Sequence, residues 1–387
     1  MDSYPLHLDL TGRRVLVVGA GPVGVRRVKA LVAAGAEVEV VALEAPDDLG
    51  LPLRRRAFRD DDVDGAWLVH ACTGIVDDQV AAACEARRVW CVRADDAASS
   101  PAWVPAVGRS DDVVVSVTAG RDPRRAVALR DAVVLLLETG VLPLRHRRPG
   151  PGSVALVGGG PGDPGLLTVR GRQLLAAADV VVRDRLAPAV DLPDDVEIVE
   201  TGKQAHGPSW SQEAIEALVV ERALAGRHVV RLKGGDVHLF ARGIEEVAAC
   251  VAAGVSVEVV PGVSSAFAAP AAAGIPVTAK GLTQSVTVVS AHAAPGSPGS
   301  TVDWDALARL GGTLVLLMAI ERLEECAAAL VAGGRDPGTP VAVVREGTLP
   351  TQQVVVSTLA DIAVEAAELT SPAVVVVGEV VSARLPS

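Results

Sequence analysis

The feature that most constrains this chain is an alternation. Short Val-rich runs recur along its length, separated by stretches rich in Ala, Leu and Arg. The runs include Val15–Val18, Val38–Leu43, Val113–Val117, Val154–Val157, Val180–Val182, Val229–Leu232, Val257–Val260, Val286–Ser290, Leu314–Met318, Val341–Val344 and Val374–Val377. Runs of this length without polar alternation read as strands buried on both faces. With helical stretches between them, they predict an α/β chain built on parallel sheets covered on both sides. None approaches the ~18 apolar residues of a membrane span.

At roughly 150 residues per domain, 387 residues make two or three domains. Such a length buries a core that needs no disulfide or metal staple. A hydrophobic share of 50% with 21% charged residues excludes disorder and coiled coil as the main architecture. Aromatic residues make up 2%, with Tyr4 the one tyrosine, and the net charge is −11. Both argue against a nucleic-acid partner, which would need basic patches and stacking platforms. The five cysteines (Cys72, Cys84, Cys91, Cys250 and Cys326) form no CxxC pair and are odd in number. They read as free thiols of a reducing, cytoplasmic compartment rather than as a zinc or disulfide framework. Residues Met1–Leu10 carry no basic region and do not read as a signal peptide.

Arg145 to Gly152 is basic, then Pro/Gly-rich, and reads as a linker. The expected division is a module at 1–110, a short helical remnant at 111–144, the linker at 145–152, and a second module at 153–387. That second module falls into lobes of about 153–270 and 271–387, with a soft boundary near Gly274-Ile275-Pro276. Ala293 to Ser300 reads as a surface loop.

Each large part opens with a strand and a glycine turn, but the turns differ. The first is Gly19-Ala20-Gly21-Pro22-Val23-Gly24, a G-x-G-x-x-G between a strand and a helix. Gly19 permits the tight turn, Gly21 lets a pyrophosphate approach, and Gly24 lets helix and strand pack closely. The next strand ends at Leu43-Glu44, 20 residues past Gly24, where a carboxylate can bind ribose hydroxyls. An acidic residue there favours NAD over NADP, although Arg54 to Arg56 follow some ten residues on. This is a Rossmann-like dinucleotide-binding pattern. Asp95-Asp96 follows a short strand at Val89–Val92, a position suited to acid/base work but also to an ordinary turn.

The second turn, Gly158-Gly159-Gly160-Pro161-Gly162-Asp163, puts a carboxylate where the third dinucleotide glycine would stand. A carboxylate there repels a pyrophosphate. Lys233-Gly234-Gly235-Asp236 repeats the design after another strand, and Pro261-Gly262-Val263-Ser264-Ser265 makes a third glycine turn, without a carboxylate, after a further one. Three such turns suggest one pocket lined by backbone, suited to a neutral or cationic ligand such as the sulfonium of S-adenosylmethionine.

From Gly158 onward the chain resembles uroporphyrinogen-III C-methyltransferases of the tetrapyrrole methylase family. The resemblance rests on Val157 to Thr168, Ala178-Asp179-Val180-Val181, Asp184-Arg185-Leu186, Gly202-Lys203 and Val229 to Asp236. It continues through Val259-Val260-Pro261-Gly262, Ala273 to Thr278, Gln284-Ser285-Val286 and Pro372 to Val381. Residues 1 to about 140 resemble the dehydrogenase module that precedes this methylase in sirohaem synthases. The implied fold is an N-terminal Rossmann-like NAD-binding module followed by a two-lobed tetrapyrrole methylase, which usually dimerises.

The resemblance implies methylation of uroporphyrinogen III to precorrin-2, NAD-dependent oxidation of precorrin-2 to sirohydrochlorin, and insertion of ferrous iron as substrate, the lyase step to sirohaem. Precorrin-2 also leads to cobalamin. By the family's pattern, S-adenosylmethionine contacts fall at Pro161, Gly234, Gly235, Asp236, Leu239, Ser264, Ser265, Met318 and Gly347. Asp184 falls at the proton acceptor and Lys203 at a donor. NAD contacts fall at Gly19, Gly21, Pro22, Val23, Gly24, Leu43 and Glu44, and Asp95 at the aspartate of dehydrogenation and iron insertion. The substrate carries eight carboxylates, for which Arg183, Lys203, Arg231, Lys233, Arg242 and Lys280 are candidate cations. His206, His238 and His292 lie near the motifs without an evident chemical task.

The chain departs from the pattern in places. Arg183 stands where tyrosine is common, Val237-His238 replaces Pro-Phe, Ala319 replaces a glycine, and Ser264-Ser265 replaces Thr-Ala. The loop Gly120-Arg121-Asp122-Pro123 differs from Gly-Gly-x-Ser-Pro, and the helical segment after it shrinks to about Ala126–Glu138, which sets iron insertion apart from the other activities. A second reading therefore keeps the methyltransferase and makes the first module a nucleotide-binding or dimerisation domain. A third, an RNA methylase of the same fold, is disfavoured by the acidic balance.

Overall fold

The computed structural model describes residues 4–46, 50–96, 98–120, 122–142, 150–202 and 210–385. The chain divides into two units, Met1–Val134 and Leu135–Ser387. The first holds β1 (Arg14–Val18), α1 (Pro22–Ala33), β2 (Glu37–Ala42), β3 (Leu53–Arg55), β4 (Leu68–Ala71), α2 (Asp77–Ala86), β5 (Trp90–Arg93), β6 (Ala106–Ser110) and β7 (Val113–Val117). Helix α3 (Pro123–Glu138) crosses the division between the units.

Five parallel strands run in the order β3-β2-β1-β4-β5. The order reverses between β1 and β4, the switch point at which open α/β sheets bind ligands. Alternation along β1 divides its burial. Val15 and Val17 pack with Val28 and Leu31 of α1, whereas Leu16 and Val18 pack with Val80, Ala83 and Cys84 of α2. Both faces are covered, so the strand carries no polar alternation. The segment 111–144, expected to be a helical remnant, opens instead with β7, the second strand of an antiparallel hairpin with β6, before α3.

The second unit contains β8 (Ser153–Gly158), α4 (Val169–Ala177), β9 (Val180–Arg183), β10 (Glu197–Glu200), α5 (Gln212–Leu224), β11 (His228–Lys233), α6 (Gly243–Ala252) and β12 (Ser256–Val260). After them come α7 (Ser265–Ala272), β13 (Val286–Ser290), α8 (Trp304–Arg309), β14 (Thr313–Leu317), α9 (Leu323–Ala332), β15 (Pro340–Arg345), β16 (Gln353–Thr358), α10 (Ile362–Glu365) and β17 (Ala373–Val377). The first lobe is a parallel sheet ordered β10-β9-β11-β8-β12.

The second lobe corrects the all-parallel expectation. Its order is β13-β14-β17-β15-β16, and β17 runs antiparallel to both neighbours, as β16 does to β15. An apolar run reports burial on both faces, not strand direction, and Val341–Val344 and Val374–Val377 are buried throughout. Helix α7 packs its Ala266 and Ala269 against Val315, Ala342 and Val376 of this second sheet. Among the described residues no helix is long and apolar enough to cross a membrane.

A buried charge cluster ties the first unit's sheet edge to the loop behind it. Asp62, 3% exposed, takes Arg56 through both carboxylate oxygens and Arg54 at 3.3 Å, and accepts the Arg59 backbone N–H at 2.8 Å. The Arg56 hydrogen bond is the main reason the Asp62 carboxyl lies below the usual 3.8. A depressed carboxyl contributes stability above its unfolded value and loses it as pH falls through its folded value. Asp62→Asn is therefore expected to destabilise the first unit by about 2 kcal/mol at pH 7, with the difference from the parent closing below about pH 4. Thermal melts of both full-length chains at pH 7, 5 and 3 and below measure this, and a gap that does not narrow as pH falls through that range contradicts it.

Candidate active site

Three glycine turns meet at the C-terminal ends of β8, β11 and β12. A Cβ added to Gly158 would lie 2.4 Å from the Gly262 nitrogen and 2.8 Å from the Gly235 carbonyl oxygen. One on Gly262 would lie 2.2 Å from that same oxygen. The turns thus pack backbone on backbone, closer than any side chain allows. Gly160 and Gly235 exchange two hydrogen bonds at 2.7 and 3.2 Å, and the Gly159 N–H donates to the Lys233 carbonyl at 2.7 Å.

Asp236 fixes the second turn to the third. Its Oδ1 accepts the backbone N–H groups of His238 and Leu239 at 2.9 and 3.1 Å, and its Oδ2 accepts that of Gly262 at 3.1 Å. Asp163 has a different task from the one its position suggested. Its Oδ1 accepts the Gly165 N–H at 2.7 Å, capping a short turn, and its own N–H donates to Thr348 Oγ1 at 3.3 Å in the second lobe. Ser264 caps α7 by accepting the Ala266 N–H at 3.2 Å.

The turns open onto a cavity of about 790 Å³ between the lobes of this unit. Pro161, Gly234, Gly235, Asp236, Leu239, Ser264, Ser265, Met318 and Gly347 all line it, as does Asp184. Sequence reasoning missed Phe240 and Glu346, which line the same cavity. Like Met318, both hold positive φ, at 56°, 48° and 58° for Phe240, Glu346 and Met318. Non-glycine residues in that region concentrate at functional sites. Gly347 packs under α7, where a Cβ would come within 2.5 Å of Ala269.

Asp184 follows β9 and is one-third exposed. Its Oδ1 accepts Arg231 Nη2 at 2.6 Å and Thr201 Oγ1 at 3.4 Å, and Lys233 Nζ stands 3.7 Å from Oδ2. Here the structure corrects the cation assignment. Arg231 and Lys233 are each 2% exposed, and both bind Glu246 of α6, so neither is free to meet a substrate carboxylate. Arg183 is engaged by Glu200 at 2.5 Å, and Arg242 pairs with Glu245 at 3.2 Å in the open. Lys280 is exposed, and Arg185, which the motif reading passed over as a cation, lines the cavity. His292 sits 3.0 Å from Ser290 Oγ, and Lys203 and His206 lie outside the described residues.

In the first unit the G-x-G-x-x-G turn has the crowding its residues foretold. A Cβ on Gly24 would sit 2.0 Å from the Gly19 carbonyl oxygen, and one on Gly19 2.8 Å from that of Cys72. Gly21 faces open space and precedes α1, whose first turn begins with Pro22 and Val23 and has no side-chain cap. An anion can therefore reach the helix N-terminus there. Leu43 and Glu44 are exposed just past the end of β2. Asp95 is gripped by Arg93, Nε to Oδ1 at 3.1 Å and Nη2 to Oδ2 at 2.8 Å, while Nη1 of Arg93 reaches Asp78 at 2.6 Å. That grip holds the Asp95 carboxyl below its usual range. Asp96 caps its own turn by accepting from Ala98 and Ser99. No cluster of three or more His, Cys, Asp or Glu side chains placed to hold a metal occurs among the described residues.

The close approach of the turns makes a direct prediction. Gly158→Ala forces the second and third turns apart. Its affinity for S-adenosylmethionine, read by titration calorimetry, is expected to fall about tenfold or more, with NAD binding unchanged. Unaltered affinity would show that the turns do not shape the cavity.

Residues 153–363 match the family model of tetrapyrrole (corrin/porphyrin) methylases, and residues 6–106 that of a putative NAD(P)-binding domain. A protein named siroheme synthase 1, from Yersinia pseudotuberculosis, is 36% identical over 448 aligned positions, covering 99% of this chain and 94% of that protein. Those positions outnumber this chain's 387 residues, so the relative carries internal segments that this chain lacks. An S-adenosyl-L-methionine-dependent uroporphyrinogen III methyltransferase of Methanosarcina barkeri is 45% identical over 59% of this chain and 92% of its own. A solved uroporphyrin-III C-methyl transferase of Thermus thermophilus, complexed with S-adenyl homocysteine, is 39% identical, with a TM-score of 0.51 over 60% of this chain and 100% of that one. With both modules matched in this order along nearly its whole length, the chain belongs to the siroheme synthase family, its second module a tetrapyrrole methylase.

Proposed function

We propose that the second unit methylates uroporphyrinogen III with S-adenosylmethionine to give precorrin-2, and that the first oxidises precorrin-2 to sirohydrochlorin with NAD. The observation that carries the first part is one cavity bringing together three stitched glycine turns, Met318 and Asp184. The cavity fits the methyl donor. Its floor is backbone that no Cβ could replace, and Asp236 and Glu346 line it beside the place a cationic sulfonium would take. S-Adenosylmethionine supplies an electrophilic methyl group, so the protein's chief task is alignment.

Methylation forms a carbon–carbon bond at a pyrrole ring, breaks the sulfur–methyl bond, and leaves the tetrapyrrole with a proton to lose. Asp184 accepts it at Oδ2, because Oδ1 is held by Arg231. Lys203 is the candidate donor. Arg185, which lines the cavity, and the exposed Arg242 and Lys280 receive the substrate's carboxylates.

In the first unit the open face at Gly21 and the α1 N-terminus hold the pyrophosphate of NAD, and Glu44 holds its adenosine ribose. NAD accepts a hydride when bound. Asp95, kept ionised by Arg93, stands at the tetrapyrrole as an anion rather than as a strong base, and the same anion receives ferrous iron in the lyase step. The protein acts in the cytoplasm as a homodimer. The hairpin β6–β7, antiparallel and two-stranded, exposes Val107 and Val114 on one face, an apolar surface suited to a second copy. Precorrin-2 serves sirohaem and, where the oxidation is bypassed, cobalamin.

The whole chain, incubated with uroporphyrinogen III, S-adenosylmethionine and NAD, is expected to yield sirohydrochlorin by absorbance. Arrest at precorrin-2 without NADH formation rejects the dehydrogenase and leaves the methyltransferase alone. Asp184→Asn is expected to lower methylation at least 100-fold while S-adenosylmethionine still binds, and near-normal turnover would reject Asp184 as acceptor.

A further inference from the structure

Behind Asp184 lies a group of charges that the reaction as described does not use. Arg231 and Lys233 are two residues apart on β11, so their side chains share one face of the sheet. Glu246, 3% exposed on α6, meets both, its Oε1 accepting Arg231 Nε at 3.1 Å and Lys233 Nζ at 3.0 Å. Gln212 of α5 approaches the same oxygen at 3.4 Å, and Oε2 is buried without a hydrogen-bond partner. Arg231 is fully engaged, since Nη1 also donates to the Val182 carbonyl and to Thr201 Oγ1, both at 3.3 Å. Asp184 lines the cavity, and the other three charges lie behind it.

We propose that Glu246 is a positioning residue for methyl transfer. By holding Arg231 and Lys233 from behind, it lets Arg231 make the close contact with Asp184, through Oδ1, and keeps Lys233 back at 3.7 Å from Oδ2, the oxygen left for the substrate. This inference rests on the reading of Asp184 as proton acceptor.

The argument is one of charge count and distance. Two cations and two carboxylates balance in a buried site where charges interact strongly. Without the charge of Glu246, both cations have Asp184 as their nearest counter-ion. Lys233, now 3.7 Å from Oδ2, then closes on the oxygen that must take the proton. Other charged groups stand around the four. Arg183 and Arg185 flank Asp184 in sequence, and Glu200 of β10 neutralises Arg183. On α5, Glu216 is bridged to Glu246 by Gln212, and on α6 Glu245 pairs with Arg242 and the buried thiol of Cys250 lies near Glu246. None of these touches Asp184 through a hydrogen bond or ion pair among the described residues.

The test is the pH profile of methylation by the full chain with saturating S-adenosylmethionine. Activity of an acceptor carboxylate rises as pH climbs through its ionisation. Glu246→Gln leaves excess positive charge at Asp184, so the acid limb is expected to move down by about one pH unit. Its plateau kcat should fall about tenfold, with the calorimetric affinity for S-adenosylmethionine held within about twofold. Arg231→Gln removes a cation and is expected to move the limb the other way. Lys233→Met combined with Glu246→Gln restores the balance and is expected to recover most of the lost kcat. It is also the variant to read if Glu246→Gln does not fold. A folded Glu246→Gln with a normal plateau, or with an unmoved limb, overturns the inference, as does a double variant no more active than the poorer single one. Asp184→Asn separates the two levels. If it retains turnover, the acceptor reading itself fails. If it is inactive while the Glu246→Gln limb stays in place, only the role of Glu246 fails.

Discussion

The methylase unit depends on backbone packing against backbone at one place. Gly158 and Gly262 close on each other and on the Gly235 carbonyl to distances that exclude a Cβ at either, and this contact joins the ends of β8, β11 and β12. Parallel strands all point their C-terminal ends to the same side, so loops from separate strands can meet there. Asp236 then locks the arrangement by accepting three backbone N–H groups. A carboxylate so used is a structural strut as well as a cavity wall. The second lobe adds Met318, Glu346 and Gly347 from its own loops, and α7 carries Ser264 and Ser265 between the two.

Much of this was legible in the sequence, for a definite reason. Central strands buried on both faces need continuous apolar residues, and runs such as Val15–Val18 and Val154–Val157 coincide with observed central strands. Edge strands need no such run. β3 (Leu-Arg-Arg) and β10 (Glu-Ile-Val-Glu) pair on one side and carry charge, so no apolar run betrays them. β4 is central yet short, and His70 interrupts its apolar character. Strand direction in the second lobe was illegible because an apolar run carries no direction.

The site was legible to the same degree and failed for a different reason. Glycines mark turns whatever surrounds them, so the three turns could be read from the residues, whereas Leu239, Met318 and Gly347 came from the family resemblance. Phe240 and Glu346 carry no such mark, since a positive φ at a non-glycine residue is imposed by the fold around it. The charges of β11 were misread because spacing cannot tell a cation that faces a cleft from one beneath it. Arg231 and Lys233 alternate with Val230 and Leu232 and lie under the cavity. Glu246 sits in an unremarkable helical sequence and becomes visible only when α6 packs beside β11.

That misreading bears on how an acidic chain handles an acidic substrate. With a net charge of −11, the protein as a whole repels a molecule with eight carboxylates. The two most buried cations near the cavity do not offset this, because Asp184 and Glu246 already neutralise them. Arg183 is likewise spent on Glu200. Attraction must come from exposed cations such as Arg185, which lines the cavity, and their fields are screened over about 10 Å at 0.1 M salt. Capture of the substrate should therefore weaken with ionic strength, whereas the three buried charges behind Asp184 are shielded from salt. If Asp184 takes the proton, recognition and proton transfer in this site draw on two sets of charges, one open to the solvent and one that, apart from Asp184 itself, is closed off from it.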